Sequence, residues 1–309
     1  MADRSGALSE AQIIARLREI FESSDPRIEV GIGDDAAVVV GSKRQVMTTD
    51  MAVEGVHFRT DWSSGFEIGR KITAANTADI LAMGAVPDYL LVALALTGSE
   101  SLDWIIELAR GVKFEADLAG VNVVGGDISR ADQVVISMAA IGSVEKPILR
   151  SGAKPGDGIY LSSLTGWSAA GLAILKSKSP VTSEIMKKAI QEFKSPTIDY
   201  KFDTKSASSL CDISDALAIQ AAQMAESSDV AFNFDLAKIE KSAEFAELEK
   251  IASEIGADIW QLIFAGGEDH ALLATGLGLP GILIGEVIAG SGIRNLPAGV
   301  ETSAWRHFN

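Results

Sequence analysis

The sequence predicts an α/β (α+β) protein of two domains, and three observations carry that expectation. Segments with strand-like and helix-like hydrophobic periodicity alternate along the chain. The alternation restarts after a connector at 147–157 that contains Gly, Pro and Lys. The 309 residues, 47% of them hydrophobic, can bury two cores.

In chain order, Ser9 with Gln12 three residues on reads as a capping box. Ile13, Ile14, Leu17, Ile20 and Phe21 then line one face of an amphipathic helix. Strands are expected near 36–40 and 45–49, a helix near 66–83, and a Val/Leu/Ala-rich strand at 90–96. A helix carrying Trp104, Ile105, Leu108 and Val112 leads to a strand at 121–124, a Gly-Gly-Asp turn, and a strand from 134 to 141. We place the domain boundary near Arg150, giving domains 1–149 and 150–309. Beyond it come a strand at 159–162, a helix near 169–176 and an Asp-Ile-Ser-Asp turn.

Composition narrows the function classes. Acidic residues outnumber basic ones by 42 to 27, a formal charge of -15, with no Lys/Arg-rich run. That balance argues against nucleic-acid or anionic-membrane partners, whose phosphates require a basic surface. The apolar runs at 90–96 and 134–141 are too short to span a bilayer. The polar N-terminus, with apolar residues at helical spacing, lacks a signal-peptide pattern, so the cytoplasm is the expected location. The single cysteine, Cys211, sits in an apolar run and reads as a core thiol.

Six short acidic motifs are spread over the chain: Gly33-Asp34-Asp35, Thr48-Thr49-Asp50, Asn76-Thr77-Ala78-Asp79, Gly125-Gly126-Asp127, Asp212-Ile213-Ser214-Asp215 and Gly266-Gly267-Glu268-Asp269. Most fall at expected strand ends, where converging carboxylates repel one another unless cations lie between them. The pattern points to hard divalent metals, Mg²⁺ with a polyphosphate being the commonest case. Singly, each motif reads as a turn or a helix cap, and Asp215 stands where it can cap the next helix. Asp79 differs, since it lies within a mostly apolar helix one turn after Asn76 and needs a cation or several donors if buried.

Other sites fail on chemistry. Gly31-Ile32-Gly33-Asp34-Asp35-Ala36 matches the dinucleotide fingerprint formally, but puts two carboxylates where a pyrophosphate would lie. No Walker A loop is present, and Ala170 replaces the final Gly of a nucleophile elbow. His57, His270 and His307 are isolated and share no metal-ligand spacing with Cys211, which disfavours zinc.

Taken together, GIGDDAA at 31–37, TTDMAVEGVHF at 48–58, NTADILAMGA at 76–85, GGDISR at 125–130, RSGAKPGD at 150–157, DISDAL at 212–217 and GGEDH at 266–270 resemble thiamine-monophosphate kinase. The resemblance implies the two-domain fold of aminoimidazole ribonucleotide synthetase, with mixed sheets packed by helices. It also implies a homodimer formed through the N-terminal domain and an active site in a cleft between domains. Asp35, Thr48, Thr49, Asp50, Asp79, Asp127, Asp212 and Asp215 would then ligate several Mg²⁺ ions. Gly126, Asp127, Arg150 and Ser214 would contact ATP, and His57, Glu268 and Trp305 the thiamine phosphate, with Trp305 placed to stack on a thiamine ring. The implied reaction is direct in-line transfer of the γ-phosphoryl group of ATP to thiamine monophosphate, the last step in making thiamine diphosphate. Because the acceptor phosphate is already ionised, no protein general base is expected.

The chain departs from the family pattern at Ala78, Ala216 and His270-Ala271, and the segment 164–170 is shortened. A shared fold does not fix the acceptor, so aminoimidazole ribonucleotide synthetase and selenophosphate synthetase are competing readings. The lone Cys211 argues against the latter, which needs a reactive Cys or selenocysteine near the N-terminus. A noncatalytic Mg-nucleotide sensor is the alternative outside enzymes.

Overall fold

The computed structural model describes residues 16–30, 38–40, 44–178 and 180–300. Within them the chain forms two compact units, Met1–Ile80 with Val86–Val144, and Leu81–Ala85 with Glu145–Asn309. The expected capping box at Ser9, the first apolar residues of its helix, and the first two positions of the 36–40 strand lie outside the described residues. Residues 16–20 are helical, and Val38–Val39 pairs antiparallel with Ile28–Val30.

The first unit is built on four strands: β3 (Gln45–Val53), β4 (Val86–Leu96), β5 (Asn122–Arg130) and β6 (Val135–Ser143), with β1 and β2 being the small pair just named. Their order is β3-β6-β4-β5, with β4 and β5 parallel and the other pairs antiparallel. Two helices, α1 (Gly65–Leu81) and α2 (Leu102–Ala119), accompany the sheet. They cross at glycines, because a Cβ on Gly69 would meet the backbone of Leu108 and Val112, and one on Gly111 that of Phe66. Arg70 and Glu115 tie the pair with an ion pair at 2.9 Å whose carboxylate is almost wholly buried. Strand alternation divides the sheet into unlike faces. Ala52, Leu90, Leu94, Ile136, Met138 and Ala140 are buried on one face. On the other, Met47, Met51, Val86 and Leu91 are exposed.

The second unit has a six-stranded sheet in the order β12-β9-β11-β7-β10-β8. Its strands are β7 (Gly158–Leu161), β8 (Ala207–Asp212), β9 (Ala231–Phe234), β10 (Leu272–Gly276), β11 (Ile282–Ile288) and β12 (Gly292–Arg294). Only the β12–β9 pair is parallel. Ile159, Leu161, Phe232, Phe234, Leu273 and Ile284 form a core with the helices α3 (Trp167–Ser177), α4 (Glu184–Lys194), α5 (Leu217–Ser227), α6 (Leu236–Glu240), α7 (Ala243–Ile255) and α8 (Ile259–Ala265). A smaller cluster of Leu210, Leu272, Ala274 and Leu279 adds Ala82, with Tyr160 and Ile148 against it. The alternating α/β pattern thus becomes two mixed sheets packed with helices.

One expected strand end and one expected turn are strand interior instead. Thr48, Thr49 and Asp50 lie inside β3, and Gly125, Gly126 and Asp127 inside β5. The glycines of the second motif answer to strand pairing: a Cβ on Gly126 would collide with the carbonyl of Val92 on β4. The register also slips between Leu90 and Leu91, which pair with Val123 and Gly125.

Candidate functional site

In the first unit, Thr48 donates its hydroxyl to Asp79 Oδ2 at 2.7 Å, joining β3 to α1. Asp79 is only half-buried, so this helix carries the carboxylate at its margin and not in a dry core. The donors of the polar residues before it are satisfied locally. Thr73, Asn76 and Thr77 donate to the carbonyls of Gly69, Ile72 and Thr73 one turn earlier. Asn76 Oδ1 is buried with no hydrogen-bond partner, a polar atom left over three residues before Asp79.

The period-2 alternation of β3 separates its three candidate ligands. Thr48 and Asp50 are half-buried on the helix side, whereas Thr49 is exposed on the other face and donates to Met138 O at 3.0 Å. Asp127 is exposed on β5, the opposite edge strand from β3. Cross-strand register aligns Asp50 with Met138, Val92 and Gly126, so Asp127 lies one row further on. Three strand spacings, about 14 Å, divide its strand from β3. Within this unit the fold brings Thr48 to Asp79 and keeps Asp127 apart from both. His57 Nδ1 accepts from Val53 N at 3.0 Å, which assigns its ring proton to Nε2 in the neutral form.

In the second unit the Asp-Ile-Ser-Asp turn leaves the end of β8 as expected. The Gly-Gly-Glu-Asp-His segment between α8 and β10 folds directly onto it. Glu268 N donates to Ser214 O at 2.7 Å, His270 N to Ile213 O at 2.9 Å, and Ile213 N to Ala271 O at 2.9 Å. A Cβ on Gly267 would collide with Asp215 O, so this approach requires glycine. Glu268 and His270 adopt φ of 67° and 51°, left-handed backbone held by these bonds.

Each acidic residue here has a different setting. Asp212 is buried and lies 3.2 Å from His270 Nδ1, also buried. Asp215 is exposed and does not cap α5, whose N-cap is Ala216. Asp269 is buried and accepts from Gly166 N and Ser168 N at 2.8 and 2.9 Å, so it closes the start of α3. Burial pushes its carboxyl up to about 6, partly countered by those two N–H donors. Arg150 is exposed and donates to Gln223 on α5 at 2.6 Å. Cys211 is buried as expected, with Sγ 3.2 Å from Met224 Sδ and its thiol pushed up by desolvation. Asp35 and Trp305 lie outside the described residues.

The candidate metal donors are oxygen throughout, carboxylates and two threonine hydroxyls, which suits Mg²⁺ and not a soft metal. The Thr48–Asp79 oxygens, hydrogen-bonded at 2.7 Å, are somewhat closer than the roughly 3.0 Å edge of an octahedron with ~2.1 Å bonds. Among the described residues, no three Asp, Glu, His or Cys side chains meet as a closed metal cage. A hard cation held by few carboxylates, with its other positions left to water and phosphate, fits this donor set.

In the second unit, neither Gln220 nor the contact of His270 with Asp212 was singled out for the site from sequence, and Asp269 was named there only as part of an acidic motif. A faint signal existed for the first, since Ala216 cannot cap a helix and Gln220 follows it by one turn.

Comparison with known proteins gives a consistent picture. The family model described as AIR synthase related protein, N-terminal domain, matches residues 33–144. The chain is 35% identical to the thiamine-monophosphate kinase of Corynebacterium glutamicum over 284 residues, covering 88% of this chain and 83% of that protein. With the Aquifex aeolicus thiamine-monophosphate kinase it shares 32% identity over 311 residues, covering 97% and 98%. The crystal structure of thiamine-monophosphate kinase from Stenotrophomonas maltophilia K279a superposes with a TM-score of 0.82 at 27% identity, over 94% of this chain and 98% of that one. A solved AaThiL complexed with AMPPCP and TMP gives 0.79 at 30% identity over the full length of both chains. The hydrogenase maturation protein HypE in complex with ATP, at 17% identity and a TM-score of 0.68, shares the fold. With this fold, and at this identity over this length, the chain belongs to the thiamine-monophosphate kinase family.

Proposed function

We propose that this protein transfers the γ-phosphoryl group of ATP to thiamine monophosphate, giving thiamine diphosphate and ADP. The observation that carries the reading is the full-length likeness to the solved relative complexed with AMPPCP and TMP, at 30% identity. The acidic motifs supply a chemical rationale. Both substrates are anions and the chain carries a formal charge of -15, so repulsion and alignment are the main obstacles to reaction. Bound Mg²⁺ would supply charge neutralisation and a template for the reacting oxygens.

The chain's own residues have separable tasks. On the first unit, Thr48, Asp50, Asp79 and Asp127, together with Asp35 and Thr49, are the proposed cation ligands, and Gly126 lets a phosphate approach the strand. On the second, Asp212 and Asp215 ligate, while Ser214 and Arg150 contact the nucleotide. His57, Glu268 and Trp305 bind the thiamine phosphate. His57, with its proton on Nε2, is set up to donate to a phosphate oxygen. No residue is needed to remove a proton from the acceptor, whose phosphate is already ionised near neutral pH.

We also propose a homodimer formed by the uncovered face of the first unit's sheet. Met47, Met51 and Val86 are 68%, 58% and 64% exposed there, a strip of large apolar side chains that a second copy would bury. A cytoplasmic location agrees with the lone buried thiol. Among the described residues, no helix is long and apolar enough to cross a membrane.

The direct test incubates the protein with ATP, Mg²⁺ and thiamine monophosphate, with free thiamine and an aminoimidazole precursor as parallel acceptors. Thiamine diphosphate and ADP, formed from the monophosphate alone, are expected by mass spectrometry. Product from another acceptor, or nucleotide binding without turnover, would replace the kinase reading.

A further inference from the structure

Gln220 is a buried amide on the first turn of α5, exposed to only 2%. Its Oε1 accepts from Ala216 N at 2.9 Å. A backbone N–H can only donate, so this bond fixes which end of the amide is oxygen. Nε2 is then the donor, and it stands 3.3 Å from Ser214 Oγ and 3.5 Å from Asp215 Oδ2. One side chain therefore touches the last two residues of the Asp-Ile-Ser-Asp turn and Ala216, which follows it.

The local sequence explains why a side chain is needed there. Ala216 is the N-cap of α5 and makes no side-chain cap, and Asp215 is exposed, so nothing in the turn itself fixes the hydroxyl and the carboxylate. A Lys or Arg in place of Gln220 would orient Asp215 but cancel its charge. A neutral amide with two long bonds orients the groups and leaves the negative charge available to a cation.

We infer that Gln220 is a positioning residue for phosphoryl transfer: its amide presets the Ser214 hydroxyl and the Asp215 carboxylate for metal-bound nucleotide. This rests on the reading of Ser214 and Asp215 as nucleotide and metal ligands. Presetting them spares the substrate the cost of ordering them on arrival.

Two variants separate positioning from helix capping. Gln220→Glu keeps an acceptor for Ala216 N but loses the donor, and Gln220→Met loses both. Each is measured by thermal unfolding, by calorimetric titration with Mn²⁺ and ADP, and by steady-state kinetics. Gln220→Glu, which puts a second carboxylate at a buried position beside Asp215, is expected to unfold below the wild-type temperature and to bind Mn·ADP roughly fivefold more weakly, the worth of about one neutral hydrogen bond. The KM for Mg·ATP should rise with it, while the KM for thiamine monophosphate stays within about twofold. Gln220→Met should show the same binding loss and a lower unfolding temperature. Unchanged or tighter Mn·ADP binding by Gln220→Glu overturns the inference and leaves Gln220 a cap, and it stands as the test if Gln220→Met fails to fold. Wild-type protein that binds no Mn·ADP would instead sink the reading of the turn on which the inference rests.

Discussion

Asp269 and Asp212 stand near one another in the second unit, yet burial means different things for them. Asp212 has His270 Nδ1 3.2 Å away, whereas Asp269 accepts from the two N–H groups that begin α3, and desolvation lifts its carboxyl to about 6. An acid raised in the folded state binds its proton more tightly there than in the unfolded chain. Its contribution to stability is therefore complete below the unfolded value near 4, falls as pH rises toward about 6, and is flat beyond. A shift of that size corresponds to something on the order of 3 kcal/mol. Asp269→Asn, which cannot ionise, should lose this step. Urea unfolding of the metal-free protein at pH 4, 5, 6 and 7 checks it, and a variant whose pH profile parallels the wild type would refute the assignment.

Periodicity within β3 and β5 governs which candidate ligands can act together. Alternation sends Thr48 and Asp50 to the side of α1 and Thr49 to the other face, whatever the motif spells in one dimension. The adjacent glycines of β5 differ in the same way. A Cβ on Gly126 meets the Val92 carbonyl, which is held in the ladder and cannot yield, whereas one on Gly125 comes 3.1 Å from Leu91 Cδ2, the end of a flexible and partly exposed side chain. Gly126→Ala is expected to destabilise the protein by about 1–3 kcal/mol, as overpacking does, and Gly125→Ala by under about 1 kcal/mol. Urea midpoints for the two variants compare them directly, and equal midpoints would mean that the β4–β5 contact is not what the glycine serves.

The proposed dimer turns on one exposed sheet face of the first unit. Met47, Thr49 and Met51 alternate outward on β3 beside Val86 and Leu91 on β4, an arrangement that water does not favour. In an isologous dimer each substituted side chain occurs twice in the interface. Met51→Lys should therefore weaken self-association by about tenfold or more, because two desolvated ammonium groups replace two thioethers. Sedimentation velocity across a concentration series reads the change, with circular dichroism confirming that the fold persists. A wild type that stays monomeric, or a variant that dimerises equally well, would remove this face from the proposal.

Much of this protein was legible in one dimension, because periodicity and chemistry are local properties. Alternating apolar periods announced an α/β chain, and the order and spacing of seven motifs pointed to the family that comparison then established. The end of β8 at Asp212 and the burial of Cys211 followed from apolar runs meeting polar turns. The Gly-Gly-Asp motif was misjudged as a turn because glycine serves chain reversal and close strand approach equally well, and only the carbonyl of Val92 distinguishes the two. Gln220 was only faintly signalled for a related reason: its partners lie within six residues, but which atoms it reaches depends on how β8 hands the chain to α5. Likewise, Asp269 reaches across about a hundred residues to Gly166 and Ser168, a contact that no spacing rule encodes. Sequence named the oxygen donors, and packing set which face, which partner and how much water each one has.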